Sequence, residues 1–260
     1  MQRFRILTVG SACLVAVMSC GAFADDKSKS DPADAVLDAF VQALKADKSV
    51  EAAARDKALA AVEKLRKDKE TREFALTEAL RELSPEFQKA LSALGAEDLP
   101  AAIETLKPLA GSKDDFLAAE SRYYLARAYI LQEKYELALP HLDKLEADLA
   151  SKTIRSGESL FLKGASQLHL LKRKEAAASL AQFLKKYPTA PERLRVAAWR
   201  QLEVLRSIGK GTLPDIHQHM LFSRRKLALQ DAGKETQKVQ QRIVAMLDKM
   251  IEEAEKKGGT

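Results

Sequence analysis

Cysteine is nearly absent from this chain. Cys13 and Cys20 are the two copies, and both lie within the first twenty residues. Once that segment is removed, neither a disulfide nor thiol chemistry is open to the remainder. Aromatic residues make up only 6%, with one Trp, and Gly and Pro number 11 and 8. Runs of Val, Ile and Thr are missing after the first twenty residues, which excludes a core built on strands. The apolar run from Ile6 to Met18 is too short to span a bilayer. No one sign of charge dominates, since 43 Lys and Arg face 37 Asp and Glu for a formal charge of +6. These charges alternate along the helical segments. That is the pattern of a solvated surface and not of a nucleic-acid-binding face.

What remains is helical material. Apolar residues reach 46% and charged residues 31%, with Ala, Leu, Glu and Lys prominent, all good helix formers. Residues 1–24 read as an export signal: Arg3 and Arg5, the short apolar run, then Ala22-Phe23-Ala24 as a small-x-small cleavage site before Asp25. Val17-Met18-Ser19-Cys20 offers an alternative, because it resembles a bacterial lipobox with lipidation at Cys20. Cleavage at Asp25 predicts a periplasmic or secreted chain of formal charge +4, and lipidation an anchored one. Only in the second case is the membrane a partner.

Three further segments follow: 25–83, 84–208 and 209–260. Asp25 to Ser30 is polar, and Asp31-Pro32 has the chemistry of a helix start, a capping side chain followed by Pro. Val36, Leu37, Phe40, Val41 and Leu44 recur at helical spacing. Ser49 is placed to cap a second helix, with Val50, Ala54, Ala58, Ala61, Val62 and Leu65 on one face. Ser84-Pro85 is another cap-plus-Pro start.

From Ser84 a hairpin pattern repeats. A small residue lies midway along one helix at Ala90, Ala126 and Gly164. A second follows twelve positions later at Ala102, Ala138 and Ala176, and a large one four further on at Leu106, Leu142 and Leu180. The copies step by 36 and then 38 residues. Self-similarity at such a period is the mark of a stacked repeat. Pro191 to Ile208 reads as another helix with Leu194, Ala197, Ala198, Leu202 and Leu205 inward, and Trp199 is expected in the core. Gly209 to Pro214 is a break, with Thr212 as a cap. In the last helix Val239, Ile243, Met246, Leu247, Met250, Ile251 and Ala254 form one stripe, like a coiled-coil seam.

Over residues 84–190 this spacing resembles the tetratricopeptide repeat family. Departures are visible: Arg122 stands where a large apolar residue is usual, Ala93 and Gln167 replace a tyrosine, and Glu133 and Leu171 replace the turn glycine. Phe183 to Pro188 is similar to repeat endings in envelope proteins of the division-coordinator and outer-membrane-assembly types. The resemblance implies an all-α fold of antiparallel hairpins stacked as a short solenoid, with flanking N-terminal helices and an amphipathic C-terminal helix. It also implies that the first helix of each unit lines a groove for a peptide. The matching positions are Glu120, Tyr123, Arg127 and Ile130, then Phe161, Ala165, Leu168 and His169. An aromatic floor beside Arg and Glu suits an extended peptide.

No catalytic motif assembles. Ser159 and Ser166 lack a nucleophile elbow's glycines, and Gly209-Lys210 and Gly233-Lys234 lack the rest of a phosphate loop. Asp215, His217 and His219 carry metal-ligand types. His217 and His219, two apart on a helix, point to different faces, so a solvated helix face is the expectation there. No cofactor and no metal are expected. The expectation is an exported, non-catalytic adaptor or scaffold of the bacterial envelope with a protein or peptide partner. The alternatives are a cell-wall enzyme with a helical cleft, or a self-assembling protein that uses its last helix.

Overall fold

The computed structural model describes residues 32–258. Among them it contains twelve α-helices, two short 3-10 turns and no strand. The segment read as an export signal, both cysteines and the cap expected at Asp31 lie outside the described residues. No helix among those described is long and apolar enough to cross a membrane.

Helix α1 (Pro32–Ala46) buries Val36, Leu37, Phe40 and Leu44, the stripe read from the sequence. Helix α2 (Ala52–Arg66) turns Ala58 and Val62 inward. Ser49 does not cap it. Its N–H and hydroxyl both donate to Asp47 Oδ1, at 2.8 and 2.6 Å, and Glu51 takes the cap position without a side-chain bond. A neighbouring carboxylate has outcompeted the helix end for that serine. After a 3-10 turn at Arg72–Phe74 comes α3 (Ala75–Leu83), with Leu76 and Leu80 buried. Ser84 does cap the next helix, its hydroxyl accepting the Phe87 N–H at 3.1 Å.

Three pairs then follow: α4 (Pro85–Gly95) with α5 (Leu99–Leu109), α6 (Asp115–Leu131) with α7 (Tyr135–Asp148), and α8 (Ser156–His169) with α9 (Arg173–Lys186). Consecutive helices pack against one another throughout this stretch. The small residues predicted at the contacts are there, with Ala90, Ala102, Ala126, Ala138 and Ala176 all at 0% exposure. Gly164 lies so close to α9 that a Cβ would stand 2.8 Å from Leu180 Cγ. Close approach of this kind needs a missing side chain, and Leu106, Leu142 and Leu180 fill the adjoining space.

The turns inside the pairs share one geometry. Glu97, Glu133 and Leu171 have φ of 60°, 56° and 59°. The next N–H in each case, of Asp98, Lys134 or Lys172, reaches back to the carbonyl of Ala93, Tyr129 or Gln167 at 2.9 Å. This is the Schellman closure of a helix end, which favours glycine at the left-handed position. Glycine there avoids a steric cost of roughly 1–2 kcal/mol but loses about 0.5–1 kcal/mol through backbone entropy. The exposed Glu97 is the cleanest site. Glu97→Gly should raise stability by about 0.5–1 kcal/mol, read as a higher thermal midpoint. A midpoint that stays or falls would mean the turn carries no such strain.

Helix α10 (Glu192–Ser207) packs on α9 and α8 through the residues expected to face inward, Leu194, Ala197, Ala198, Leu202 and Leu205. Trp199, expected in the core, is 58% exposed. One residue turns a helix by about 100°. With Ala198 against α9, Trp199 therefore looks to a side that no later helix covers. Helix α11 (Leu213–Ala228) packs instead against α8 and against the turns of the second and third pairs. Arg225 makes two bonds to the Glu136 carboxylate at 2.9 Å each and one to the Glu133 carbonyl at 2.8 Å. Thr212 stands at the start of α11 without a side-chain cap bond, and its hydroxyl donates to the Gly209 carbonyl at 2.8 Å.

A fourth turn of the same kind, with Gln230 at φ 58° and the Asp231 N–H on the Lys226 carbonyl at 2.8 Å, leads to α12 (Lys234–Gly258). Helix α12 packs on α11. Ile243 is buried, and Val239, Met246, Leu247 and Met250 are half-buried. Ile251 and Ala254, read as part of the same stripe, are exposed, because α12 is nine residues longer than α11 and runs past it.

Candidate functional site

A depression of about 430 Å³ opens where the 3-10 turn before α3 meets α6, α8 and α10. Its walls come from far-apart parts of the chain: Glu73 and Phe74, then Tyr123 and Arg127 of α6, then Arg155, Glu158 and Phe161 at α8, then Arg193, Leu194 and Ala197 of α10. Helical period explains the grouping. Tyr123 and Arg127 are four apart on α6, and Glu158 and Phe161 three apart on α8, so each pair shares a face.

The floor is Tyr123, whose side chain is fully covered. The guanidinium of Arg155 lies 4.9 Å from its ring centre and that of Arg127 5.5 Å. Arg127 also donates to the Tyr123 hydroxyl at 3.4 Å. Burial pushes the Tyr123 hydroxyl far above the usual phenol range, opposed by Arg155 and Arg127, so it stays protonated. Arg155 is itself buried, 6% exposed, among the rings of Phe74, Tyr123 and Tyr124. Burial works against its charge, but Glu120 and Glu158, 3.8 and 3.6 Å away, outweigh that and hold it firmly cationic.

Glu120 lies beneath the floor, 1% exposed. Thr77 donates to one of its oxygens at 2.8 Å and Thr153 to the other at 2.6 Å. This carboxylate is therefore a strut that joins α3, α6 and the loop before α8, out of reach of a ligand in the depression. Ile130 packs against the core near the end of α6. His169 ends α8 with its ring stacked on Tyr135 at 4.3 Å. Ile130, Ala165, Leu168 and His169 do not line the depression. The structure thus gathers Tyr123, Arg127 and Phe161 of the expected set.

Phe74, Arg155 and Arg193 were not read as site residues. Phe74 is a large apolar residue with 43% of its surface exposed. Arg193 falls on a helix whose packing partner the sequence leaves open. Arg127 and Arg193 have no ion pair among the described residues and are both exposed. Two cations beside Phe74, Phe161 and Leu194 can hold an acidic group next to an apolar one by charge-assisted bonds and apolar contact.

The Asp215 and His219 pair is not a solvated face. Asp215 is fully buried, ion-paired with Arg173, and accepts the Gly211 N–H at 2.8 Å. Burial opposes its charge, but the Gly211 N–H and Arg173 keep its carboxyl below the usual range. His219 Nδ1 lies 2.8 Å from the Asp215 carbonyl, and His217 points outward, exposed. No group of three metal-ligating residues occurs among those described.

No family model, no curated protein and no solved structure matches this chain. Fold and site together define an all-helical protein of sequentially packed helices, with a charged, aromatic-floored depression on one side.

Proposed function

We propose that the chain is an exported, non-catalytic scaffold of the bacterial cell envelope, built on divergent tetratricopeptide-type repeats, and that it captures an extended segment of a partner protein. The signal-like residues 1–24 support export. The three pairs with a common turn at steps of 36 and 38 residues support the repeat assignment. The observation that carries the binding reading is the convergence of Arg127, Arg193, Phe74 and Phe161 on one depression between successive pairs. A segment with an acidic residue beside an apolar one would satisfy both cations while its apolar side chain sits against Phe161 and Leu194. Arg and aromatic residues are the usual carriers of binding energy in such contacts.

The test is capture of crosslinked partners from envelope extract, then affinity measurement on a recovered partner. Arg127→Ala and Arg193→Ala should each weaken binding by about 1–2 kcal/mol or more, since both are exposed. Arg127 also rests on Tyr123, so the unfolding midpoint of that variant is read beside its affinity. Lys144→Ala is the control, because Lys144 is paired with Asp148 at the end of α7, away from the depression. Tyr123 is unsuitable for truncation, as its loss would collapse the floor. Equal recovery by both arginine variants, with unchanged circular dichroism, would remove the depression from consideration.

A further inference from the structure

Helix α10 and helix α12 each leave one side uncovered, and the two sides are complementary. On α10, Val196, Trp199 and Val204 are 40%, 58% and 43% exposed. Beside them stand Arg193 and Arg200, exposed and without an ion pair among the described residues. On α12, Val244 and Ile251 are 57% and 55% exposed. Beside them stand Asp248 and Glu255, likewise exposed and without an ion pair among those described. Both charge pairs are seven residues apart, about 10 Å along a helix, and so are Val244 and Ile251. The two cations of α10 and the two acids of α12 are thus equally spaced, and Glu203, on the same side of α10, is neutralised by Arg206 at 2.6 Å.

Helix α10 also occupies the next step of the repeat. Ala198, fully buried against the third pair, follows Gly164 by 34 residues. The second helix that would complete a fourth pair is diverted, because α11 turns to the second and third pairs. By the same steps Trp199 follows Ala165 and Arg127, so it continues the groove side of the earlier pairs.

We propose that this chain self-associates, with the outer side of α10 in one copy receiving the Val244–Ile251 side of α12 from a second copy. Trp199 is the anchor, as large aromatic side chains are in most interfaces. Arg193 and Arg200 face Asp248 and Glu255 and set the register. The contact joins two different surfaces. It is made twice if the pair closes on a two-fold axis, and it propagates if it does not. Arg193 also lines the depression, so an acidic segment bound there competes with this association, and self-association is measured with none present.

Sedimentation of the full chain over a range of concentration and salt tests this. The expected result is a mass above that of one chain, rising with protein concentration and falling with added salt. Three variants make the test specific. Arg193→Glu with Arg200→Glu places acid against acid, and Asp248→Arg with Glu255→Arg places base against base. Each variant alone should associate more weakly by on the order of a hundredfold. Mixed in equal amounts they should associate again, because every α10–α12 contact between unlike chains then pairs opposite charges. Trp199→Ala should weaken association at any salt concentration. A wild-type chain that keeps the mass of one copy at every concentration overturns the proposal. So does a dimer that the charge reversals leave intact, or a mixture that fails to recover.

Discussion

Arg155→Met should lower the stability of the fold by about 3–5 kcal/mol, the expected cost of leaving a buried charge without its partner. The charge left behind is Glu120, 1% exposed, with Arg155 Nε 3.8 Å from its carboxylate. Thr77 and Thr153 would still donate to it at 2.8 and 2.6 Å, but neutral donors do not cancel a charge. Methionine keeps much of the apolar stem that packs among Phe74, Tyr123 and Tyr124, so the loss is chiefly electrostatic. Adding Glu120→Gln should recover part of the loss, because no buried charge then stands alone. Urea unfolding of the single and double variants gives the comparison. A loss under about 1 kcal/mol for Arg155→Met would mean that Glu120 is not buried against Arg155, and the strut beneath the depression would not exist.

Gly164→Leu and Ala176→Leu should each cost about 1–3 kcal/mol, with Gly164→Leu at the upper end. A single Cβ on Gly164 would stand 2.8 and 2.9 Å from Leu180 Cγ and Cδ2 and 3.3 Å from its backbone nitrogen. Leu180 is fully buried and has no solvent to move into, so the α8–α9 pair must part. Gly164→Ala is milder, because alanine favours the helix by roughly 0.5–1 kcal/mol over glycine and offsets some of the clash. Ala138→Leu tests the same contact in the pair before. Unchanged thermal midpoints for Ala138→Leu, Ala176→Leu and Gly164→Leu together would contradict the close packing of these pairs.

The two sets of positions were not equally legible. Ala126, Ala138, Gly164 and Ala176 are visible in sequence because the contact they make lies within a hairpin, where a few residues of turn bring the partner helix. The turn positions Glu97, Glu133 and Leu171 are also locatable by their spacing, even though none is glycine. The depression is different. Tyr123, Arg127 and Phe161 could be placed on one line by the repeat. Arg155 could not, because its partner Glu120 comes from another helix and its aromatic surroundings from residues as distant as Phe74.

The sequence by itself determined the all-helical class, the ends of α10 to within a residue, the inward faces of α1 and α10, and the small and large contact residues of the three pairs. Each rests on local chemistry: apolar residues at helical period, small residues where neighbours touch, and caps such as Ser84 that satisfy a helix end. Only the tertiary structure decided that α11 turns back onto Glu133 and Glu136 of the second pair, that Trp199 stands in solvent, and that Glu120 is a strut instead of a contact. Periodicity specifies which residues share a face, but not which distant helix arrives to cover it. That depends on competing long-range contacts, here the bonds from Arg225 to Glu136 and from Arg173 to Asp215, whose members lie 89 and 42 residues apart.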